Sequence, residues 1–282
     1  MKRFLPLLLS IIFLFSLSAC GGKLPSPNLG FLKPTNSPEP LPTVRVTFPE
    51  GWSVTEIAQK LEESGVCPAD DFMKLITDKT YIASLEYTVL DGVNDIDGLA
   101  FPLEGFIFPD TYEFYKGESA ENALSRFLKN TESKITDEMK QRAAELGFTV
   151  IEVLTLASVI QEEASVPSEM PAVSSVFHNR LGRADYPKLQ SDVTRNYVKN
   201  ILDLSPYLAE RDEDFSLLYD TYECTGLPAG PVCNPGINAI NAVLYPEETE
   251  YLFFVTDEEG NYYYAETYDE HKKNCSAVGL KG

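Results

Sequence analysis

Thr149-Val150-Ile151-Glu152-Val153-Leu154-Thr155-Leu156-Ala157-Ser158-Val159-Ile160-Gln161-Glu162-Glu163-Ala164 is the stretch on which the reading of this chain turns. Thr149 followed by Glu152 is a capping-box pattern, so the spacing predicts a helix from Val150 to about Ala164. At about 100° per residue, Val153, Leu154, Leu156, Ala157, Val159 and Ile160 cover most of the circumference. A helix so apolar belongs in a core. The polar gap is narrow and holds Thr155, Ser158 and Glu162, whereas Glu163 projects between Leu156, Val159 and Ile160. The two neighbouring carboxylates are therefore unequal. Glu162 has a polar stripe to face; Glu163 lies on a side that protein should cover, where the charged form is disfavoured and the pKa rises. A general acid working near neutral pH needs that property. The plainer alternative is a frayed helix end, with its apolar side already open to water.

Outward from this helix, a proline-free helical pattern runs from about Ala120 to Leu146 and breaks near Ile135-Thr136. A further helix is expected from Glu169 to Leu181, stopped by Gly182. Tyr251 to Val255 and Tyr262-Tyr264, joined around Asp257 to Gly260, read as a terminal hairpin. Upstream, Val44-Arg45-Val46-Thr47-Phe48 alternates like a strand, and Ser53-Val54-Thr55-Glu56 opens a helix that Gly65 should end. The expected fold class is α+β. A small strand-helix-helix module at residues 43–80 precedes a mixed α+β catalytic domain at 81–282, and there are no internal repeats.

Residues 1–19 carry the marks of an export signal. Met1-Lys2-Arg3 is basic, Phe4 to Leu17 is almost wholly apolar, and Ser18-Ala19 places small residues before Cys20. The ending resembles a bacterial lipobox, which implies cleavage before Cys20 and lipidation of its thiol, with the rest of the chain on the extracytoplasmic face of the cell membrane. Residues 20–42 hold six prolines among Ser, Asn and Gly, a semi-extended spacer rather than a folded unit. The formal net charge of −20 argues against nucleic acid and against an electrostatic grip on anionic lipid, which leaves the acyl group as the anchor. Cys67, Cys224, Cys233 and Cys275 follow Cys20; an exported setting permits disulfides, and Cys224 with Cys233 could close a short loop. With no Cys-x-x-Cys pair and with His178 and His271 far apart, neither a metal nor another cofactor is expected.

Four blocks, in order, resemble the endolytic murein transglycosylase family, the YceG-like proteins. They are Leu156 to Ala164; Leu103-Glu104-Gly105-Phe106-Ile107-Phe108-Pro109-Asp110-Thr111-Tyr112; Val176-Phe177-His178-Asn179-Arg180-Leu181 with Leu189-Gln190-Ser191-Asp192; and Tyr219-Asp220-Thr221-Tyr222 with Gly226 to Pro231 and Asn234-Pro235-Gly236. The resemblance covers about residues 44 to 274. It implies cleavage of the bond between N-acetylmuramic acid and N-acetylglucosamine inside glycan strands, with the muramic 6-hydroxyl attacking C1 to leave a 1,6-anhydro end. Glu163 aligns with the family's catalytic glutamate and would act as acid, then as base. Since the substrate supplies the nucleophile, the usual pair of glycosidase carboxylates is not expected. The resemblance also implies a LysM-like, glycan-holding character for residues 43–80 and work beside the strand-synthesising machinery.

For substrate binding the blocks nominate Glu104, Asp110, Tyr112, Gln190, Ser191, Asp192, Tyr219 and Tyr222, with Asn179 and Arg180 behind them. For the residues of the first block, turn and core structure is an equal alternative. Three departures stand out: a lipidated cysteine where a transmembrane helix is common, Asp220 where Asn is usual, and Gln161-Glu162 where Glu-Lys is common. Asp220, if it points inward, would perturb Glu163 further. Two rivals remain, a lipoprotein that binds peptidoglycan without cutting it, and a hydrolase that uses water with Asp192 as its second carboxylate.

Overall fold

Strand β1 (Thr43–Thr47) pairs antiparallel with β2 (Thr111–Tyr115), in register from Thr43 opposite Tyr115 to Thr47 opposite Thr111. These positions come from a computed structural model, which describes residues 42–280. The export segment, Cys20 and nearly all of the proline-rich spacer lie outside the described residues. Between the two strands run α1 (Val54–Glu63), α2 (Ala69–Thr77) and α3 (Lys79–Ala83). Helix α1 starts where expected, with both halves of the Ser53–Glu56 capping box formed, and Gly65 follows its end at a φ of +70°. The strand-helix-helix stretch does not close on itself at residue 80. Its partner strand lies at Thr111–Tyr115, and the expected boundary falls inside α3. Pairing across that distance was invisible to local patterning.

The inner face of this two-stranded sheet is aromatic. Phe48, Tyr112, Phe114 and Phe127 meet largely edge to face, with Tyr112 and Phe127 at 4.5 Å between ring centroids. That geometry lets the positive ring edge of one meet the negative face of the next. Phe127 belongs to α4 (Ala120–Lys134), which is followed by α5 (Asp137–Leu146); the break falls at Ile135-Thr136 because Thr136 caps the second helix.

Helix α6 (Val150–Glu163) is the centre of the molecule. All ten residues from Ile151 to Ile160 are buried except Glu152, and the Thr149–Glu152 capping box is complete. Each fully buried Leu, Ile or Val contributes about 1.5–3 kcal/mol, so this one segment anchors a large share of the core. It is wrapped by α7 (Met170–Leu181), α8 (Asp192–Tyr197), a five-residue α9 (Phe215–Tyr219) further out, and α10 (Ile237–Leu244). Thr155 and Ser158, expected to form an open polar stripe, are buried instead. Their hydroxyls donate to Ile151 O and Thr155 O within the helix, and Ser158 Oγ also accepts from Val232 N. Short hydroxyls satisfied by their own helix can enter a core without loss.

The chain ends in a hairpin, β3 (Phe253–Thr256) with β4 (Tyr262–Ala265), and a helix α11 (Tyr268–Ala277). The mixture of helices with two small sheets is α+β. Among the described residues no single helix is long and apolar enough to cross a membrane.

Candidate active-site cleft

Glu163 is the last residue of α6 and opens into a cavity of about 650 Å³. Its walls come from α7, from the segment Leu189–Asp192, from Tyr222, from β3 and from α11. The carboxyl is held at one oxygen only: Ser191 Oγ donates to Glu163 Oε1 at 2.6 Å. Nothing among the described residues hydrogen-bonds Oε2. Burial raises the pKa of Glu163 above the ordinary carboxylate value, and the charges of Asp192 and Glu162 push the same way. The Ser191 hydrogen bond and Arg180 oppose them, and burial wins. A partly buried carboxyl with one free oxygen, its pKa raised by its surroundings, can give a proton and later take one.

The segment that presents Ser191 is tightly specified. Gln190 has a φ of +55°, the only positive φ of a non-glycine among the described residues. An L residue there carries a steric cost of about 1–2 kcal/mol. Two hydrogen bonds to Thr221 hold the turn, from Gln190 N to Thr221 O and from Ser191 N to Thr221 Oγ1. Thr221 lies inside the Tyr219–Tyr222 block, so two motifs far apart in sequence form one clamp. Beside it, Arg195 donates to Asp220 Oδ2 at 2.9 Å and lies over the Tyr222 ring at 4.0 Å. Asp220 is committed elsewhere and is not among the charges that raise the pKa of Glu163: its other oxygen accepts from Tyr222 N, and its charge is met by Arg195.

Arg180 crosses the floor. It is buried, donates to Leu252 O and Leu189 O, and stacks on Phe253 at 5.0 Å. Phe253 carries His271 on a nearly parallel ring plane at 5.1 Å. Asn179 ties α7 to the hairpin approach through Thr249 O and Tyr251 O. Tyr262 OH caps Glu163 O at the end of α6. The α11 residues Tyr268, His271 and Cys275 complete the wall. Patterning missed this helix, although Thr267-Tyr268-Asp269-Glu270 carries the capping box that the structure forms.

Of the nominated residues, Gln190, Ser191, Asp192 and Tyr222 reach the cleft with Glu163. Glu104, Asp110, Tyr112 and Tyr219 do not. Glu104 is wholly enclosed and accepts from Val54 N, Tyr197 OH and Asn234 Nδ2. With no cation beside it, burial raises its pKa to about 8. Asn234 extends this knot, accepting from Ile107 N and donating to Trp52 O. Tyr112 is part of the aromatic core, and its hydroxyl donates to Phe108 O. Asp110 accepts from Thr111 N and pairs with Lys134 on the surface of the same region. Tyr219 is buried under Gly230, and its hydroxyl accepts from Ala100 N. A motif block shows that residues matter together, but not which of them face solvent.

The short loop between Cys224 and Cys233 is not stapled. Both thiols are free; Cys233 is buried and donates to Ser158 O at 3.4 Å, so its sulfur is committed to the α6 side of the loop. Burial, reinforced by Glu162, drives its pKa well up.

An α+β fold built round one apolar helix thus brings a partly buried carboxyl to a polar and aromatic cleft. Residues 31–277 match the YceG-like family, and the chain belongs to that family. An endolytic murein transglycosylase of Bacillus subtilis (strain 168) is 31% identical over 233 residues, 81% of this chain and 63% of its own length. One from Streptococcus pneumoniae serotype 2 is 30% identical over 86% of this chain and 46% of its own length. The chain therefore spans about half to two thirds of the length of these relatives. A crystal structure of a yceG-like protein from Listeria monocytogenes superposes with a TM-score of 0.69 at 30% identity, covering 82% of this chain and 75% of that one.

Proposed function

We propose that this protein is a peptidoglycan lytic transglycosylase that cuts glycan strands internally, with Glu163 as its acid and base. The observation that carries the reading is the state of Glu163: partly buried, raised in pKa, held at Oε1 by Ser191 and free at Oε2. Family membership and the names of the relatives supply the substrate class.

In the proposed reaction the protonated carboxyl donates to the oxygen that bridges N-acetylmuramic acid C1 to N-acetylglucosamine. As that C–O bond breaks, positive charge grows at C1 and the carboxylate left behind stabilises it. The muramic 6-hydroxyl then bonds to C1 and its proton passes to Glu163, which restores the acid. The net change is one C–O bond exchanged for another and one proton moved, with no water consumed. Ser191 fixes the carboxyl through both steps, Arg180 moderates its charge, and Asp192, Tyr222 and Gln190 contact the sugars. On this reading the chain is a lipoprotein held at the extracytoplasmic face through Cys20, close to the synthases that make its substrate.

The test is digestion of purified sacculi by the full-length protein, wild type against Glu163→Gln. The expected products carry anhydromuramic ends, and the variant loses at least about a hundredfold in rate. Reducing ends would point to hydrolysis with Asp192 as second carboxylate; no cleavage would leave a binding protein; full activity in the variant would remove Glu163 from the chemistry.

A further inference from the structure

Glu162 and Glu163 are sequence neighbours that line different spaces. Glu163 opens into the cleft, whereas Glu162 lines a second cavity of about 250 Å³. The two spaces flank the same two segments: Glu163 and Asp192 line the first, and the adjoining Glu162 and Val193 line the second. The two spaces share no lining residue and adjoin through these neighbouring positions at the end of α6 and the start of α8.

The chemistry of the second cavity is selective. Glu56 and Glu162 line it together with the amides of Asn196 and Asn200, and no lysine or arginine does. Asn196 and Asn200 are exposed, and neither amide is hydrogen-bonded within the described residues. They sit on α8 and on the π-helical turn Val198–Leu202 that continues it, an irregularity that recurs at functional sites. Val193, Ile201 and Val232 supply apolar surface. Carboxylates and amides over an apolar floor suit hydroxyl and acetamido groups with a C–H face beneath them, and the negative charge repels anionic ligands. The opposite wall comes from Gly51, Ser53 and Glu56, close to the start of α1. Gly51 has a φ of +86°, and a Cβ there would stand 2.6 Å from Glu162 Oε1, so the glycine leaves this carboxylate its place.

We propose that this second cavity is a subsite for an uncharged N-acetylglucosamine residue next to the bond cut at Glu163, held by Asn196, Asn200 and Glu162. The inference rests on the reaction proposed above and deepens it. The segment around Gly51 to Glu56 then contacts substrate as one wall of a continuous groove. Filling subsites on both sides of the scissile bond is what makes cutting inside a strand favourable, because the energy of binding remote sugars is used at the reacting centre.

The test uses full-length protein, wild type and Asn196→Ala/Asn200→Ala, with a tetrasaccharide and an octasaccharide of alternating N-acetylglucosamine and N-acetylmuramic acid. Because both lengths fill a position next to the scissile bond, the double variant is expected to lower kcat/KM about tenfold on each, mainly through KM. In a Glu163→Gln background, which reads binding without turnover, octasaccharide affinity is expected to fall by a similar factor. A double variant whose kcat/KM and affinity match wild type overturns the subsite. Loss of affinity with no cleavage by wild type sinks the proposed reaction but keeps the subsite. Anhydro products with unchanged affinities do the reverse.

Discussion

Glu104 makes a sharp prediction because its surroundings oppose one another. Three donors point at its carboxyl, from Val54 N, Tyr197 OH and Asn234 Nδ2, and each favours the ionised form. Complete burial without a cation favours the neutral form more strongly, which raises the pKa from 4.5 to about 8. In the unfolded chain the group ionises near the lower value. Between the two values the folded state holds a proton that the unfolded state has released, so stability falls as pH rises. The contribution of Glu104 is whole below about pH 4.5 and is lost progressively up to about pH 8. Each pH unit in that window is worth about 1.4 kcal/mol, so the whole window amounts to about 5 kcal/mol at most. Glu104→Gln keeps the shape, accepts from Val54 N and cannot titrate. Urea unfolding followed by the fluorescence of the single tryptophan, Trp52, should be measured every half pH unit for both proteins. Other titrating groups are common to both, so the difference between the curves isolates Glu104. That difference should change steadily from pH 4.5 to about 8 and then level off. Parallel curves across the window would refute the reasoning, and with it the claim that burial outweighs the three donors.

Ser191→Ala removes a hydrogen bond that favours ionised Glu163, so the pKa of Glu163 rises further. The alkaline limb of the pH–rate profile should move to higher pH while kcat falls about tenfold or more; an unmoved limb would separate Ser191 from the acid. Gly51→Ala forces a Cβ against Glu162 at a positive φ and should destabilise the protein by about 1–2 kcal/mol in chemical unfolding. Cys224 and Cys233 are free, so reductant should leave Tm unchanged, and native Cys233 should resist thiol reagents that label it after unfolding. A fall in Tm on reduction would restore the staple.

Much of the local structure was legible because it is set by short-range rules. Capping boxes at Ser53 and Thr149, the break at Ile135-Thr136 and the stop after Leu181 all depend on neighbours within a turn, and the helices begin and end there. The separation of Glu163 from Glu162 was also local: a rotation of about 100° per residue is enough to send adjacent side chains into different spaces. The second carboxylate opens into the larger cleft, and the first faces Gly51.

What the chain alone could not determine is which residues of a motif reach solvent. Glu104 and Tyr219 belong to blocks as informative as the one holding Ser191, yet they are enclosed, because residues distant in sequence close over them: Val54, Tyr197 and Asn234 for the one, Gly230 for the other. The pairing of β1 with β2 across more than sixty residues, the clamp between Gln190-Ser191 and Thr221, and the α11 wall are likewise long-range. Even the fate of Thr155 and Ser158 turned on packing, since a hydroxyl stripe is open or buried according to what lies against it. Sequence therefore set the helix, its direction and the inequality of its two last carboxylates. Only the tertiary structure could close a cleft round one of them, because the pKa of Glu163 depends on how much water its distant neighbours displace.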